Sequence, residues 1–395
     1  MPGEIAMTAS DAHRPMDACP LCGGRDSVEA QSQALALAGL GKAVIGFGHC
    51  RLCGHIYQVR RASDALLAQH YAAYSNYTCF DPEAARVAPA GNLTRRLLTL
   101  AEARAPKGTA YEVGCATGYH LQHFRRAGWE VGGCDPSARA VAQAREIFGI
   151  EIDCGMDAQA LPRRKDLSIV MFSHVLEHMT DPIAALRLAH AALRDDGVVL
   201  LEVPCATAPH LVAPGWFTLE HLHYFSQTSL TALLAAAGFA PTELRIALKA
   251  ELYPVIAAVA VKAGAPVAVA PDPLAVAASE DFLGKLLAHD DALWRRSGAR
   301  LAAVSGPVYV WGAGVHTAQL FDRTPIYRQV KGIIDRDSQK WGSVLGDHAI
   351  ISPDDFFARK DDAPVVISSF AAEAQIARSL ADAGIAARNI VRLYG

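Results

Sequence analysis

From Thr109 to Val203 short apolar runs alternate with helical segments, and nothing else in the chain constrains the fold as tightly. A strand, a crossover helix and a second strand pack in few ways other than as a parallel sheet with helices on its faces. Strands are expected at Ala110–Val113, Glu130–Cys134, Leu167–Phe172 and Val198–Val203, with helices at Tyr119–Ala127, Ala138–Phe148 and Pro182–Leu193 between them. A further helix over Ser229–Ala237 leads into LRIALKAEL and VIAAVAVKA, two runs that read as a closing β-hairpin. A second, shorter α/β unit begins at VYVWGAG and continues through GIIDRD, VVISS, EAQIARSLADAG and IVRLY, so a coarse duplication is conceivable.

A chain of 395 residues is expected to divide into two or three domains. The expected organisation is a disordered tail over 1–15, a metal-binding module over 16–62, a helical connector over 63–108, the first α/β unit over 109–265, a Pro/Ala/Val-rich linker and helix over 266–304, and the second unit over 305–395. A hydrophobic share of 51% with 19% charged residues describes a globular chain. The 37 basic and 40 acidic residues leave a net charge of −3 without a basic block, which argues against nucleic acid held by bulk charge. The run Val255–Val261 is bounded by Pro254 and Lys262, far short of the ~20 apolar residues that cross a bilayer, so no membrane partner is expected. The leader MPGEIAMTASDAHRPMDA lacks the apolar segment of a signal peptide, and an odd count of nine cysteines suits reduced thiols; the cytoplasm is the expected compartment. The oligomeric state is left open.

Cys19-Pro-Leu-Cys22 and Cys50-Arg-Leu-Cys53 form two Cys-x-x-Cys knuckles. Each presents two thiolates to one ion, and four thiolates complete a tetrahedron around Zn2+. Cys19, Cys22, Cys50 and Cys53 are therefore expected to hold a structural zinc with no open position for a reacting water.

Between the first strand and helix lies Tyr111-Glu112-Val113-Gly114-Cys115-Ala116-Thr117-Gly118, where Gly114 and Gly118 permit a tight turn exposing backbone N–H groups. Asp135 closes the next strand, where a carboxylate can accept from both hydroxyls of a ribose. The acid Glu112 is ill suited to a pyrophosphate and well suited to an ammonium group. S-adenosylmethionine carries an amino-acid tail, a ribose and an adenine, and Asp157 is placed to meet the adenine amino group.

The motifs EVGCATG, CDPS, MDAQALP, DLSIVMFSHVLEHMTDP and LRDDGVVLLEVP, in this order, resemble those of the class I S-adenosylmethionine-dependent methyltransferases over about Thr109 to Lys262. The resemblance implies a seven-stranded Rossmann-like core with an antiparallel last strand, and a cofactor site to which Cys115, Ala158 and Ser173 also belong. Ala116 stands where many members have glycine, which the turn tolerates if it keeps a negative φ.

The layout of a four-cysteine module, this core and a smaller C-terminal α/β unit further resembles the sugar C-methyltransferases that act on nucleotide-linked keto-deoxysugars. In that group a Tyr-x-Glu-His segment carries the base; here it reads Thr218-Leu219-Glu220-His221, with threonine in the tyrosine's place, and the glycine turn lacks the group's asparagine. Methylation at a carbon beside a ketone needs a base for the α proton and a donor for the enolate oxygen. His221 is the candidate base, Glu220 the group that orients its ring, and Tyr224 or Tyr77 the donor; a histidine that only lines the fold is the competing reading. His174, Glu177 and His178 fall at the end of the fourth strand, where His178 either touches ligand or binds backbone. Tyr71, Tyr74 and Tyr77 read as a lid or as a packing stripe. In the C-terminal unit Trp311-Gly312-Ala313-Gly314 does not predict a second dinucleotide cofactor, and the resemblance implies that His316, Asp335 and Lys340 face the nucleotide part of the substrate. The rival readings are an O- or N-methyltransferase on another small metabolite, a non-catalytic scaffold, and an NAD-dependent oxidoreductase built on WGAG.

Overall fold

The computed structural model describes residues 13–37, 40–73, 82–155, 161–212, 215–249 and 253–395, and their strands fall into three sheets. The central sheet contains β5 (Thr109–Val113), β6 (Glu130–Asp135), β7 (Asp153–Cys154), β8 (Leu167–Ser173), β9 (Leu193–Pro204), β11 (Phe239–Lys249) and β12 (Tyr253–Lys262), in the order β11-β12-β9-β8-β5-β6-β7. All seven residues of β8 are buried, as an apolar run must be when helices cover both faces of a parallel sheet. The parallel strands β7, β6, β5, β8 and β9 meet the antiparallel hairpin β11–β12 at β9. Strand β9 starts at Leu193, where a helix end was expected, because the helix Pro182–Ala192 stops one residue earlier. That helix is begun by Asp181, whose carboxylate accepts from Ala184 N at 2.8 Å, with Pro182 in the first turn.

The N-terminal sheet joins β1 (His13–Pro15), β2 (Ser27–Leu37), β3 (Gly41–Cys50) and β4 (Ile56–Ala62) in the order β1-β4-β3-β2. Its other strand comes from far downstream: β10 (His223–Tyr224) pairs antiparallel with β4, His223 opposite Tyr57 and Tyr224 opposite Ile56. The module expected over 16–62 is therefore not closed on itself. Phe47 stacks on Phe217 with ring centroids 4.3 Å apart, and Trp216 and Tyr224 belong to the same apolar cluster.

The connector carries helices Asp64–Ala73, Pro82–Val87 and Asn92–Arg104. The C-terminal sheet runs β15 (Val344–Leu345), β16 (His348–Ile351), β14 (Val330–Ile334), β13 (Val308–Trp311), β17 (Val365–Ile367), β18 (Ile390–Arg392), parallel except for the β15–β16 hairpin. Helix Pro273–Ala302 links the outer two sheets: Ser279 Oγ donates to Gly54 O at 2.5 Å, and Ser297 Oγ donates to Leu393 O at 3.3 Å. Among the described residues no helix is long and apolar enough to cross a membrane.

Candidate active site

The glycine turn leaves β5 with three positive φ angles, Gly114 at +67°, Ala116 at +46° and Gly118 at +74°. A Cβ on Gly114 would meet Val175 Cγ2 at 2.6 Å, so both conformation and space require glycine there. Ala116 corrects the expectation of a negative φ. Its methyl is carried in the left-handed region at a cost of about 1–2 kcal/mol, and its N–H is held by Asp135 Oδ2 at 2.8 Å. Asp135 Oδ1 accepts from Ser137 N at 2.9 Å, so this carboxylate staples the turn to the end of β6. Burial pushes its pKa up, and the two N–H donors oppose that shift.

Glu112 is buried in β5. Its Oε1 accepts from His120 Nδ1 at 2.8 Å, while Oε2 is buried with no hydrogen-bond partner. Ser173 Oγ, at the end of the adjacent strand β8, is also buried without a partner. An unpaired carboxylate oxygen beside a turn of backbone N–H groups suits an ammonium-bearing ligand such as S-adenosylmethionine. Cys115 is buried, and that burial, followed by the charges of Glu112 and Asp135, pushes its thiol well up, so it packs as a neutral side chain. Asp157, Ala158 and Tyr77 lie outside the described residues, as does Tyr74.

The end of β8 turns through His174, at φ +55°, into a single 3-10 turn over Leu176–His178. Glu177 is 1% exposed, and its Oε1 lies 3.5 Å from His174 Nδ1 and 3.9 Å from His178 Nε2. Burial alone would raise its pKa, but His174, His178 and His221 together bring it down to about 2. His178 Nδ1 donates to Glu220 O at 3.0 Å, with the Tyr71 hydroxyl 3.2 Å from the same nitrogen. The His178 and His221 rings lie 4.9 Å apart between centroids. Glu177, His178 and His221 thus form one group, their nearest polar atoms within 4.8 Å of one another. Burial, then His178, pushes His221 down to about 4 against the pull of Glu177 and Glu220, so the imidazole is neutral at pH 7 and its Nδ1 is buried without a partner.

Two expected roles change. Glu220 does not orient His221: its Oε1 lies 2.7 Å from His70 Nε2, on the helix Asp64–Ala73. Tyr224 is buried against Phe47, Phe217, Trp216 and the His221 ring, and its hydroxyl accepts from Thr218 N at 3.4 Å, so it packs as a core residue and its hydroxyl is engaged by the backbone. Both tyrosines meet the histidines, Tyr71 through its hydroxyl, 3.2 Å from His178 Nδ1, and Tyr224 through its ring, edge-on to His221 with centroids 6.1 Å apart. Sequence reasoning missed His70 and also Gln58, whose side chain reaches the Thr218–His221 segment. Gln58 carries no local motif, and in the run HYAAYSNY, which His70 opens, the tyrosines draw the attention.

The four cysteines converge. Cys19 Sγ and Cys53 Sγ are 3.8 Å apart, Cys22 Sγ and Cys50 Sγ 3.5 Å. A tetrahedron with Zn–S bonds of ~2.3 Å has sulfur edges of ~3.8 Å, so the donor set fits zinc. Gly24 N and Leu52 N donate to Cys22 Sγ and Cys50 Sγ, both at 3.4 Å, which favours thiolates.

In the C-terminal unit Asp335 Oδ2 accepts from Ala313 N at 2.6 Å, and Lys340 Nζ lies 3.6 Å from Asp335. His316 Nδ1 is 3.1 Å from the Tyr394 hydroxyl, and burial pushes this imidazole down to about 4.

Residues 84–244 match the family model of a methyltransferase domain, a span that takes in the glycine turn, Asp135 and the histidine cluster. The part of the chain that carries the glycine turn and the histidine cluster is thus similar to a methyltransferase domain. The chain is 32% identical over 144 residues to the C-methyltransferase NovU of Streptomyces niveus, covering 34% of each chain. It is 34% identical over 100 residues to the tRNA U34 carboxymethyltransferase of Pseudoalteromonas translucida (strain TAC 125), covering 24% of this chain and 31% of that one. Over 94 residues it is 33% identical to the ubiquinone biosynthesis O-methyltransferase of Rhodopseudomonas palustris (strain BisA53), covering 23% and 37%. The chain spans about a third of the length of these relatives.

Proposed function

We propose that this chain transfers a methyl group from S-adenosylmethionine to carbon in a nucleotide-linked keto-deoxysugar. The observation that carries the reading is the placement of two unlike groups at the ends of neighbouring strands. The Glu112 turn follows β5, Glu177 and His178 follow β8, its parallel neighbour, and His221 joins them from the segment between β9 and β10. A cofactor tail at one and an acceptor at the other bring donor and acceptor together.

When bound, the cofactor supplies an electrophilic methyl on a sulfonium sulfur. Glu112 Oε2 would pair with its ammonium group, and Asp135 holds the turn in shape for it. Asp135 spends one lone pair of each oxygen on backbone N–H groups and keeps the others for ribose hydroxyls. His221 is neutral and takes the α proton of the ketone. An imidazole with a pKa of about 4 is a weak base: burial and His178 outweigh the pull of ionised Glu177, which is the nearby group that stabilises the imidazolium as it forms. Cys19, Cys22, Cys50 and Cys53 would hold a Zn2+ whose role would be to keep the module folded, their four thiolates leaving no open position for a reacting water.

A second reading, methyl transfer to oxygen or nitrogen of another small metabolite, is supported by the commitment of Glu220 to His70 and by the likeness to O-methyltransferases. The test is incubation with labelled methyl donor and a panel of nucleotide keto-sugars, with the position of the new carbon read by NMR. His221→Asn is expected to lower turnover ~10²–10⁴-fold. Methyl on oxygen with His221→Asn fully active would select the second reading, and absence of S-adenosylhomocysteine binding by calorimetry would reduce the domain to a scaffold.

A further inference from the structure

We propose that Gln58, on β4 of the cysteine module, is a positioning residue for the methyl-transfer site, gripping the segment that carries His221. This rests on the reading of His221 as the base. Gln58 is 1% exposed, and its Nε2 donates to Thr218 O at 2.9 Å, Leu219 O at 3.1 Å and His221 O at 2.9 Å. Its own backbone N donates to Leu222 O at 3.0 Å, and Leu222 N donates to Glu177 O at 2.7 Å. One residue of the N-terminal sheet thus fixes a run of carbonyls that belong neither to a helix nor to a strand, and the run is tied in turn to the Glu177 turn.

The chemistry of the side chain explains why an amide stands here. All three acceptors are carbonyls, so only the NH2 end can face them, its two hydrogens shared among three oxygens. Gln58 Oε1 is left buried without a partner, a cost that a leucine or methionine of similar size would avoid. What the amide alone supplies is the grip. Its neighbours reinforce it: His223 Nε2 donates to Met179 O at 2.8 Å, which leaves His223 Nδ1 to accept from His55 Nε2 at 3.0 Å. The module and the strand-end histidines are therefore joined by side chains as well as by the β4–β10 pairing.

Loss of the grip takes a donor from three carbonyls of this segment, that of Leu219 in a buried contact, and the segment opens to hydrate them. His221 then leaves the enclosure made by Glu177, His178 and His174 on one side and by Glu220, paired with His70, on its own segment. The test uses the zinc-loaded full chain with Gln58→Leu and, should that variant fail to fold, Gln58→Met. S-adenosylhomocysteine affinity by calorimetry is expected to be unchanged, kcat to fall ~10–100-fold at unchanged acceptor KM, and the His221 imidazole titration, read by NMR and assigned with His221→Asn, to move up toward the ~6.5 of a solvated histidine. Wild-type kcat with an unmoved titration in a variant that binds the nucleoside normally would overturn the proposal, as would loss of nucleoside binding along with turnover. Failure of the functional reading is distinct: the wild-type chain would methylate no acceptor, while the titration would still report on the grip.

Discussion

The two α/β units of this molecule close their first strand–turn–helix in the same way. In the central domain Asp135 accepts from Ala116 N at 2.8 Å and from Ser137 N at 2.9 Å; in the C-terminal unit Asp335 accepts from Ala313 N at 2.6 Å and from Asp337 N at 2.8 Å. Even the first glycine matches, Gly114 N and Gly312 N each donating at 2.8 Å to the carbonyl before the aspartate, Cys134 O and Ile334 O. The surroundings differ. Asp335 and Asp337 have Lys340 Nζ at 3.6 and 3.9 Å, whereas Asp135 has the acid Glu112 near its turn and, among the described residues, no lysine or arginine in an ion pair with it. The aspartate hook is a device of the fold, and the charges beside it decide what each turn can bind.

The comparison breaks most visibly at the hooks themselves. Asp135→Ala removes two charge-assisted hydrogen bonds, about 1.5–3 kcal/mol each, and is expected to weaken S-adenosylhomocysteine binding by ~100-fold or more. Asp335→Ala is expected to lower the melting temperature and leave that affinity intact; equal losses in calorimetry would show that the two turns share one ligand.

A pH-dependent effect also sets the units side by side. His221 and His223 in the central region and His316 in the C-terminal unit are each pushed down to about 4, with burial the main cause. An unfolded imidazole takes its proton near pH 6.5 and these folded ones only near 4, so their contribution to stability is full above ~6.5 and is lost as pH falls through that window, at about 1.4 kcal/mol per unit per group. Glu177 and Glu220, held near 2 mainly by their histidine neighbours against burial, add their own loss only below ~4.3. Urea melts carried from about pH 7.5 down to about pH 2 should show the two losses in that order. Replacing His316 by asparagine should flatten the acid limb, and an unchanged limb would show that His316 titrates normally.

The smallest effect is in the backbone. Ala116→Gly relieves the positive φ and is expected to stabilise the chain by about 1 kcal/mol, a few degrees at most in a thermal melt. Gly312→Ala, at φ +114°, is expected to cost more than that gain.

What could be read from the sequence was what spacing determines. Strand–helix alternation, the turn at Gly114 and Gly118 and the pairing of cysteines at three-residue intervals each follow from neighbours along the chain. The backbone of Ala116 was not legible, because its conformation is set by Asp135 across the sheet and not by its own methyl. Nor was the partner of Glu220, since His70 lies 150 residues upstream, and a glutamate–histidine dipeptide invites the nearer pairing. Gln58 looks like any polar residue in a strand until the carbonyls it holds are known. The N-terminal sheet was hidden for the same reason: β10 is two residues long and has no partner near it in the chain.

That late strand has a consequence for how the molecule is made. His55 and the His223 it bonds are 168 residues apart. At about 5–20 residues per second, a nascent module waits roughly ten to thirty seconds, its cysteines already off the ribosome, for the piece that covers its open edge. Metal captured early in that interval would hold the knuckles together until the rest of the polypeptide arrives.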